Sequence, residues 1–277
     1  MPTEPIANDT RMQRPPDISD TDLSNAPAHN IQEAFETYGW VGRGPLVVSC
    51  EHASARVPPP LVSSESDDGW LKTHWGIDIG ARTLAMEITR LTGSSSILAR
   101  FSRLVCDANR EVGAPDQILQ TVEDGNRISF NDKITSHERQ RRIDAYYTPY
   151  HAALNELLTA RLHNPVPALF VSIHSFTPVW NHAVRDMDFG VLFRSHATEA
   201  EQLEANLKKR GFFTALNRPY SAFDHMMFTA MHHGEHHDVV HLELECNQAL
   251  LCTEERARAI APQVAAALIE LPMFTDQ

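Results

Sequence analysis

The sequence predicts a three-layer α/β/α fold, in which helices cover both faces of a mainly parallel or mixed central sheet. Short apolar runs typical of buried strands alternate along the chain with longer amphipathic segments typical of helices. A chain of 277 residues can bury one large core, and its composition shows no break that requires a second one. We therefore expect a single domain over residues 31–277, preceded by an arm over residues 1–30.

Composition limits the partners and the compartment. Twenty-four Lys and Arg against 36 Asp and Glu give a net charge of −12, which disfavours binding to nucleic acid or to an anionic membrane. The four cysteines lack metal-binding or disulfide spacing and are expected to be reduced thiols. No apolar run reaches the ~20 residues of a membrane span, and no apolar segment follows Arg11 and Arg14. We expect a cytoplasmic protein.

The N-terminal segment has little hydrophobic periodicity. The first 28 residues are rich in Pro, Asp, Asn, Ser and Thr, and such a composition cannot bury enough apolar surface to fold. We therefore expect the arm to be flexible. The stretch Ile31–Tyr38 that follows is predicted to form a short helix that leads into the first strand.

Two buried strands end in histidine. The stretch Pro45–Ala53 is an apolar run that ends in Glu51 and His52, and Val166–Ser175 ends in the same way at His174. Because parallel strands present their carboxyl ends at one edge of a sheet, the two imidazoles can converge on a divalent metal. The alternative is that each histidine lies in the core and caps its strand through a backbone hydrogen bond.

A helix is predicted over His74–Leu91, with Gly93 as its stop. Asp78 lies near the start of that helix between Gly76 and Gly80, which allow a close approach of backbone or ligand. Its carboxylate is either a ligand or a partner of the helix dipole.

Two short strands are predicted next, Ser95–Arg100 and Arg103–Asp107. The second runs into Asn109 and Arg110. A planar guanidinium and a neighbouring amide suit the carboxylate of a substrate. An Arg–Asp pair that caps the strand is the structural alternative.

The second half continues the alternation of helices and strands. Predicted elements are a loop over 116–135, a helix over 136–163 opened by Ser136, a strand over 189–194, a helix over 198–210, a strand over 212–216 and a helix over 253–271 capped by Thr253. The His-rich stretch 225–237 is interpreted as a loop that contributes at most one functional histidine.

The last predicted strand, Asp238–Cys246, carries carboxylates inside an apolar run. His241, Glu243 and Glu245 share one face because side chains alternate along a strand. Burying an unpaired carboxylate is costly, so at least one of the two is expected to meet a metal, a cation or a substrate.

Seven motifs in order resemble those of a known family. They are SCEHASARVP, HWGIDIGA, SRLVCDANR, SIHSFTP, FGVLF, NRPYS and LELECNQ. The set resembles the N-formylglutamate amidohydrolase family, whose hydrolase-like fold is related to that of zinc carboxypeptidases and aspartoacylase. The resemblance implies an enzyme, monomeric or homodimeric, that hydrolyses the linear amide of a small-molecule N-acyl amino acid.

The resemblance also implies roles for individual residues. It implies one zinc or other divalent ion held by His52 and His174, with Asp78 as the third ligand and Glu51 as the alternative. Glu245 is the implied catalytic carboxylate, and Arg110 is the second implied catalytic residue. The residues implied to bind the substrate are Asn109, Arg110, Arg185 and His233. The third ligand is open because position 55 is Ala where the carboxypeptidase pattern has a Glu ligand. Another deacylase, a carboxypeptidase-like hydrolase and a noncatalytic binding protein are the alternative functions.

Overall fold

The computed structural model describes residues 28–224 and 226–275. The predicted arm therefore lies outside the described residues except for 28–30, which belong to the first strand, and His225 also lies outside them. The strands are β1 (Ala28–Ile31), β2 (Phe35–Gly39), β3 (Leu46–Cys50), β4 (Ser95–Ala99), β5 (Leu169–Phe176), β6 (Val179–Trp180), β7 (Ala183–Val184), β8 (Phe189–Leu192), β9 (Thr214–Leu216) and β10 (Val240–Asn247).

The helices alternate with these strands. They are α1 (Glu65–Leu71), α2 (Ala81–Thr92), α3 (Ser136–Arg142), α4 (Thr148–Leu162), α5 (Ala197–Lys209), α6 (Phe228–His236), α7 (Gln248–Leu251), α8 (Glu254–Ile269) and α9 (Pro272–Thr275). A π-helical turn, Ile143–Tyr147, joins α3 to α4. None of the described helices combines the length and apolar character needed to cross a membrane.

One mixed sheet forms the middle layer. Its eight strands lie in the order β1-β2-β4-β3-β5-β10-β8-β9. Strands β4, β3, β5 and β10 are mutually parallel, whereas β1, β2 and β8 pair antiparallel with their inner neighbours. One face packs on α2, α5 and α8, and the other on α4 and α6. The predicted three-layer fold with a mixed sheet is confirmed.

The parallel centre of the sheet determines where the polar strand ends lie. All residues of β3 and β5 are buried, as expected for strands covered on both faces. Since β3, β5 and β10 run in the same direction, their carboxyl ends meet at one edge. Glu245 lies directly opposite His174 in the β10–β5 register, so strand pairing alone brings these two residues to the same place.

The predicted helix over 31–38 is wrong. This segment forms the β1–β2 hairpin, and β2 pairs antiparallel with β4. The pairing covers an edge of β4 that would otherwise leave backbone groups without partners. Glu36, buried in β2, bonds to Arg82 of α2 and to His29.

The predicted strand over Arg103–Asp107 is also wrong. Both edges of β4 are already paired, with β2 and β3, so no strand edge is free for a second strand in this region. The segment forms turns instead, and the backbone N–H of Asp107 donates to the carbonyl of Gln117 at 2.7 Å. This loop carries Asn109 and Arg110 to the edge of the sheet.

Helix α2 starts seven residues later than predicted. Gly80 occupies its N-cap position with φ +77°, and a Cβ there would lie 2.4 Å from that of Leu251. A glycine is therefore needed both for the backbone conformation and for the close approach. Asp78 consequently lies in the turn before the helix, not in its first turn.

The His-rich segment is a helix, and the predicted loop is wrong. Helix α6 buries Thr229, Ala230, His233 and Gly234. The two histidine pairs are four residues apart, so His233 and His237 share one side of the helix. The spacing of four is typical of a helix, but the adjacent histidines within each pair drew attention away from it.

Thr253 caps α8 as the sequence predicts. Its hydroxyl accepts a hydrogen bond from the backbone N–H of Arg256 at 3.2 Å. We expect Thr253→Ala to lower the free energy of unfolding by about 1 kcal/mol, because one helix N–H loses its acceptor. Urea denaturation measures this change, and Thr253→Ser, which keeps the hydroxyl, is the control. Equal losses in both variants would contradict the capping role.

Candidate functional site

A cavity of about 330 Å³ opens at the carboxyl edge of the parallel strands. Its polar floor includes His52, Asp78, His174 and Glu245. Aromatic side chains, among them Trp75, Trp180 and Tyr220, form much of its wall. Strand ends and the loops between elements therefore supply the whole lining.

Three buried residues on the floor have the composition of a metal site. One ligand atom from each of His52, Asp78 and His174 lies within 4.8 Å of the others. The Nδ1 atoms of His52 and His174 lie 3.4 and 2.8 Å from Oδ2 of Asp78. Two imidazoles and one carboxylate are a donor set typical of catalytic zinc.

Outer carboxylates fix both imidazole rings. Nε2 of His52 lies 2.7 Å from Oδ1 of Asp107, and Nε2 of His174 lies 2.9 Å from Oε2 of Glu51. Glu51 therefore faces the nitrogen of His174 that points away from Asp78. Such carboxylate–histidine contacts orient metal-binding imidazoles. The set of side chains that could hold a metal ion contains Asp78 with the two histidines and does not contain Glu51.

The backbone holds Asp78 in place. Its N–H donates to the carbonyl of His52 at 3.1 Å, and its Oδ2 accepts from the N–H of Ser175 at 3.1 Å. Burial alone would raise the pKa of the Asp78 carboxyl, but the charge of His52 and the hydrogen bond from His174 hold the pKa well below its usual range. Asp78 is therefore an anion in the folded protein.

Two further carboxylates lie beside His174 on the last strand. Glu243 is fully buried, with Oε2 3.3 Å from Nδ2 of Asn109, and Glu245 is 5% exposed and lines the cavity. Burial raises the pKa of both groups, and the charge of His174 opposes this. The charge of Glu245 further raises the pKa of Glu243, and the charge of Asp78 further raises that of Glu245. One oxygen of each has no hydrogen-bond partner among the described residues. Glu245 is thus a carboxylate with a raised proton affinity at the cavity floor.

The loop after β4 supplies the arginine at the cavity wall. Arg110 donates from Nε to Asp116 at 2.5 Å and from Nη1 to the carbonyl of Asn109 at 2.9 Å. Among the described residues, the partner of its Nη2 is the sulfur of Met226, at 3.8 Å. Asn109 also lines the cavity, and its amide nitrogen lies 3.4 Å from Nε2 of His174.

A family model matches most of the chain. The model described as N-formylglutamate amidohydrolase covers residues 44–252, a span that contains every residue of the site above. The chain belongs to the N-formylglutamate amidohydrolase family. Members of this family are amide hydrolases, which agrees with the resemblance that the seven motifs carry.

Solved structures show the same fold as this amidohydrolase family member. A gene product of Agrobacterium tumefaciens is 25% identical, covers 89% of this chain and 97% of its own, and has a TM-score of 0.80. The N-formylglutamate amidohydrolase of Ralstonia eutropha JMP134 is 18% identical, covers 88% and 99%, and has a TM-score of 0.69. No protein with a curated function matches.

Two of the expected substrate-binding residues lie apart from the cavity floor. His233 is buried and does not line the cavity; its Nε2 lies 2.8 Å from Nδ1 of His151. Arg185 lies behind the aromatic wall, with its guanidinium 5.1 Å from the ring centre of Tyr220. His241 shares a face with Glu245 but lies at the other end of β10, 3.2 Å from His196.

The sequence analysis missed three residues that support or line the site. Arg103 donates to Asp107 at 2.9 Å and lines the cavity. His151 contacts the carbonyl of Ala108 at 3.0 Å and so supports the loop of Asn109. Tyr220 lines the cavity wall. Arg103 and Tyr220 lie within the SRLVCDANR and NRPYS motifs, so membership of a motif could have identified them. His151 lies in α4 and belongs to none of the seven motifs.

Proposed function

We propose that this chain is a metal-dependent amidohydrolase that cleaves the N-formyl amide of an acidic amino acid such as N-formylglutamate, with zinc as the preferred ion. The observation that carries the proposal is the convergence of His52, Asp78 and His174 beside Glu245 at a cavity floor. A binding protein has no need of a buried, partly unpaired carboxylate next to such a group.

The charges around the site fit a divalent cation. Five buried carboxylates surround the two histidines, and Arg103 is the cation that contacts them most directly; the carboxylates are Glu51, Asp78, Asp107, Glu243 and Glu245. Ionising all five in a buried site is costly without a counterion, which agrees with the raised pKa values of Glu243 and Glu245. A zinc ion held by His52, Asp78 and His174 would polarise the scissile carbonyl and lower the pKa of a water molecule.

In this proposal Glu245 takes a proton from the water molecule that attacks the amide. Its side chain lines the cavity, and its raised pKa makes it a base that can also return the proton to the leaving nitrogen. Asn109 and Arg110 bind the substrate's α-carboxylate, because both line the cavity and Nη2 of Arg110 has no oxygen acceptor among the described residues. Asp116 holds Nε of Arg110 and so orients the fork.

Metal content and turnover of N-formyl-L-glutamate test the proposal together. We expect about one zinc per chain in the wild type and little in His52→Ala and His174→Ala, because each variant removes a ligand. His163→Ala, at an exposed histidine, is the control and should keep the metal and the activity. A wild type that stays metal-free after remetallation would favour the noncatalytic alternative.

Arg110→Lys tests the carboxylate grip. We expect kcat/KM for N-formyl-L-glutamate to fall about 10- to 100-fold, mainly through KM, because lysine keeps the charge but loses the planar fork. Arg90→Lys, on the exposed side of α2 beside Glu87, is the matched control. An unchanged kcat/KM in Arg110→Lys would remove Arg110 from the binding site.

A larger N-acyl or peptide substrate is the second candidate. A further cavity of about 560 Å³ adjoins the first, and the two share Arg110, Asp116 and Met226 in their linings. Screening N-acetyl and dipeptide substrates beside N-formyl-L-glutamate distinguishes the candidates, since only a longer substrate gains contacts in the second cavity.

A further inference from the structure

The cavity wall contains a tyrosine hydroxyl with an unused proton. Tyr220 follows β9 in the NRPYS motif and lines the cavity. Arg185 donates from Nη1 to its hydroxyl oxygen at 3.3 Å. No acceptor for the hydroxyl proton lies within hydrogen-bond distance in the described part of the chain. Burial and the charge of Glu245 raise the pKa of Tyr220, so the hydroxyl stays protonated and can donate into the cavity.

Arg185 lies among aromatic rings next to Tyr220. Its guanidinium lies 5.1, 5.5 and 5.8 Å from the ring centres of Tyr220, Trp180 and Phe176, an arrangement that orients it through cation–π contacts. Its Nη1 also donates to the carbonyl of Thr177 at 3.4 Å. Across residues 28–224 and 226–275, no carboxylate lies within salt-bridge distance of it, so its positive charge acts on the neighbouring hydroxyl.

A dicarboxylate substrate needs a second anion-binding point in this cavity. Asp78, Asp116 and Glu245 line the cavity and repel a carboxylate. Arg103 is committed to Asp107 at 2.9 Å and lies 3.6 Å from Asp78. With Arg110 assigned to the α-carboxylate, the hydroxyl of Tyr220 is a donor at the wall that the guanidinium of Arg185 contacts from behind and polarises.

We propose that Tyr220 binds the side-chain carboxylate of an N-acyl dicarboxylic amino acid, and that Arg185 positions and polarises its hydroxyl. The pair would set the preference for an acidic over a neutral side chain of the same size. This inference rests on the proposed function for the identity of the ligand. It gives a role to the NRPYS motif, which the reaction itself leaves unused, and defines how Arg185 contributes without touching the substrate.

The test compares acidic and neutral ligands of equal size. We would measure kcat/KM for N-formyl-L-glutamate and N-formyl-L-glutamine, and the affinities of the products L-glutamate and L-glutamine by tryptophan fluorescence, since Trp75 and Trp180 line the cavity. We expect the Glu/Gln preference to fall about 10- to 100-fold in Tyr220→Phe, because a hydrogen bond to a charged group is lost. A smaller fall is expected in Arg185→Met, because the hydroxyl remains but loses the guanidinium that polarises it. Tyr38→Phe and Arg90→Met, both outside the cavity lining, are the matched controls.

The outcomes separate this inference from the proposed function. If the wild type cleaves both substrates and Tyr220→Phe leaves the Glu/Gln preference unchanged, the inference is contradicted and the proposed hydrolysis is not. Equal losses for both substrates in the variants also overturn it, because the preference is then unaltered. A third outcome is that the wild type binds L-glutamate more tightly than L-glutamine but cleaves neither substrate, and that both variants lose this binding preference. That result supports the inference and contradicts the proposed hydrolysis.

Discussion

Glu245→Gln is expected to lower kcat for N-formyl-L-glutamate by about 10²- to 10⁴-fold, the usual contribution of a positioned general base. The amide keeps the size of the side chain but has no basic oxygen with which to take a proton. We expect KM to change little, because Arg110 and Asn109, not Glu245, bind the substrate in the proposed site. Steady-state kinetics of the metal-loaded variant measure both constants.

Glu243→Gln distinguishes the two carboxylates of β10. Glu243 is fully buried and does not line the cavity, so we expect a fall in kcat of less than about 10-fold, below the range of a missing base. Glu201→Gln, on the exposed side of α5, should have no effect. Were Glu243→Gln the more damaging variant at equal metal content, the catalytic role would pass to Glu243.

Acid is expected to destabilise the fold through the pair of His151 and His233. Burial lowers the pKa of His151 to about 4, and burial together with the charge of His151 lowers that of His233 to about 3. Both histidines are therefore neutral in the folded state at a pH where the unfolded chain, with an ordinary histidine pKa of ~6.5, is protonated. Their contribution to stability is complete above pH ~6.5 and is lost as the pH falls towards the folded-state values.

The expected loss is about 3 kcal/mol between pH 7 and pH 5, roughly half from each histidine. Urea denaturation at a series of pH values measures it. His233→Gln can still donate to His151 but does not titrate, so about half of the pH dependence should disappear. The exposed His163 supplies the control variant, His163→Gln, which should keep the full dependence. A steep slope that persists in His233→Gln would mean that other groups cause the acid sensitivity.

The strand ends at His52 and His174 were predictable because two local patterns, the length of the apolar run and the polar residue after it, agreed at each. The apolar runs before His52 and His174 are the length of buried strands, and charged or polar residues follow them directly. Parallel pairing then brings both histidines to one edge without further information. The alternation along β10 placed Glu243 and Glu245 on one face for the same reason, because a strand's period of two is independent of its surroundings.

Features set by long-range contacts were not predictable in this way. The segment Arg103–Asp107 has the composition of a strand, and only the pairing of β4 on both edges prevents it from becoming one. The local pattern of segment 31–38 predicts a helix, but pairing with β4 makes its second half a strand. The contact of Arg185 with Tyr220 joins residues 35 positions apart through the shape of a cavity wall, and no local period records such a contact.

The order of strands in the sheet has a consequence for how the chain folds. Strand β10 is the last to be synthesised, yet it lies between β5 and β8 in the middle of the sheet. Until residue 247 has left the ribosome, β5 and β8 have no neighbour on the sides that β10 will cover, and such open edges invite pairing with other chains. Pairing across so long a stretch of sequence is slow. We therefore expect the nascent chain to pass through an aggregation-prone stage that ends only when β10 is inserted.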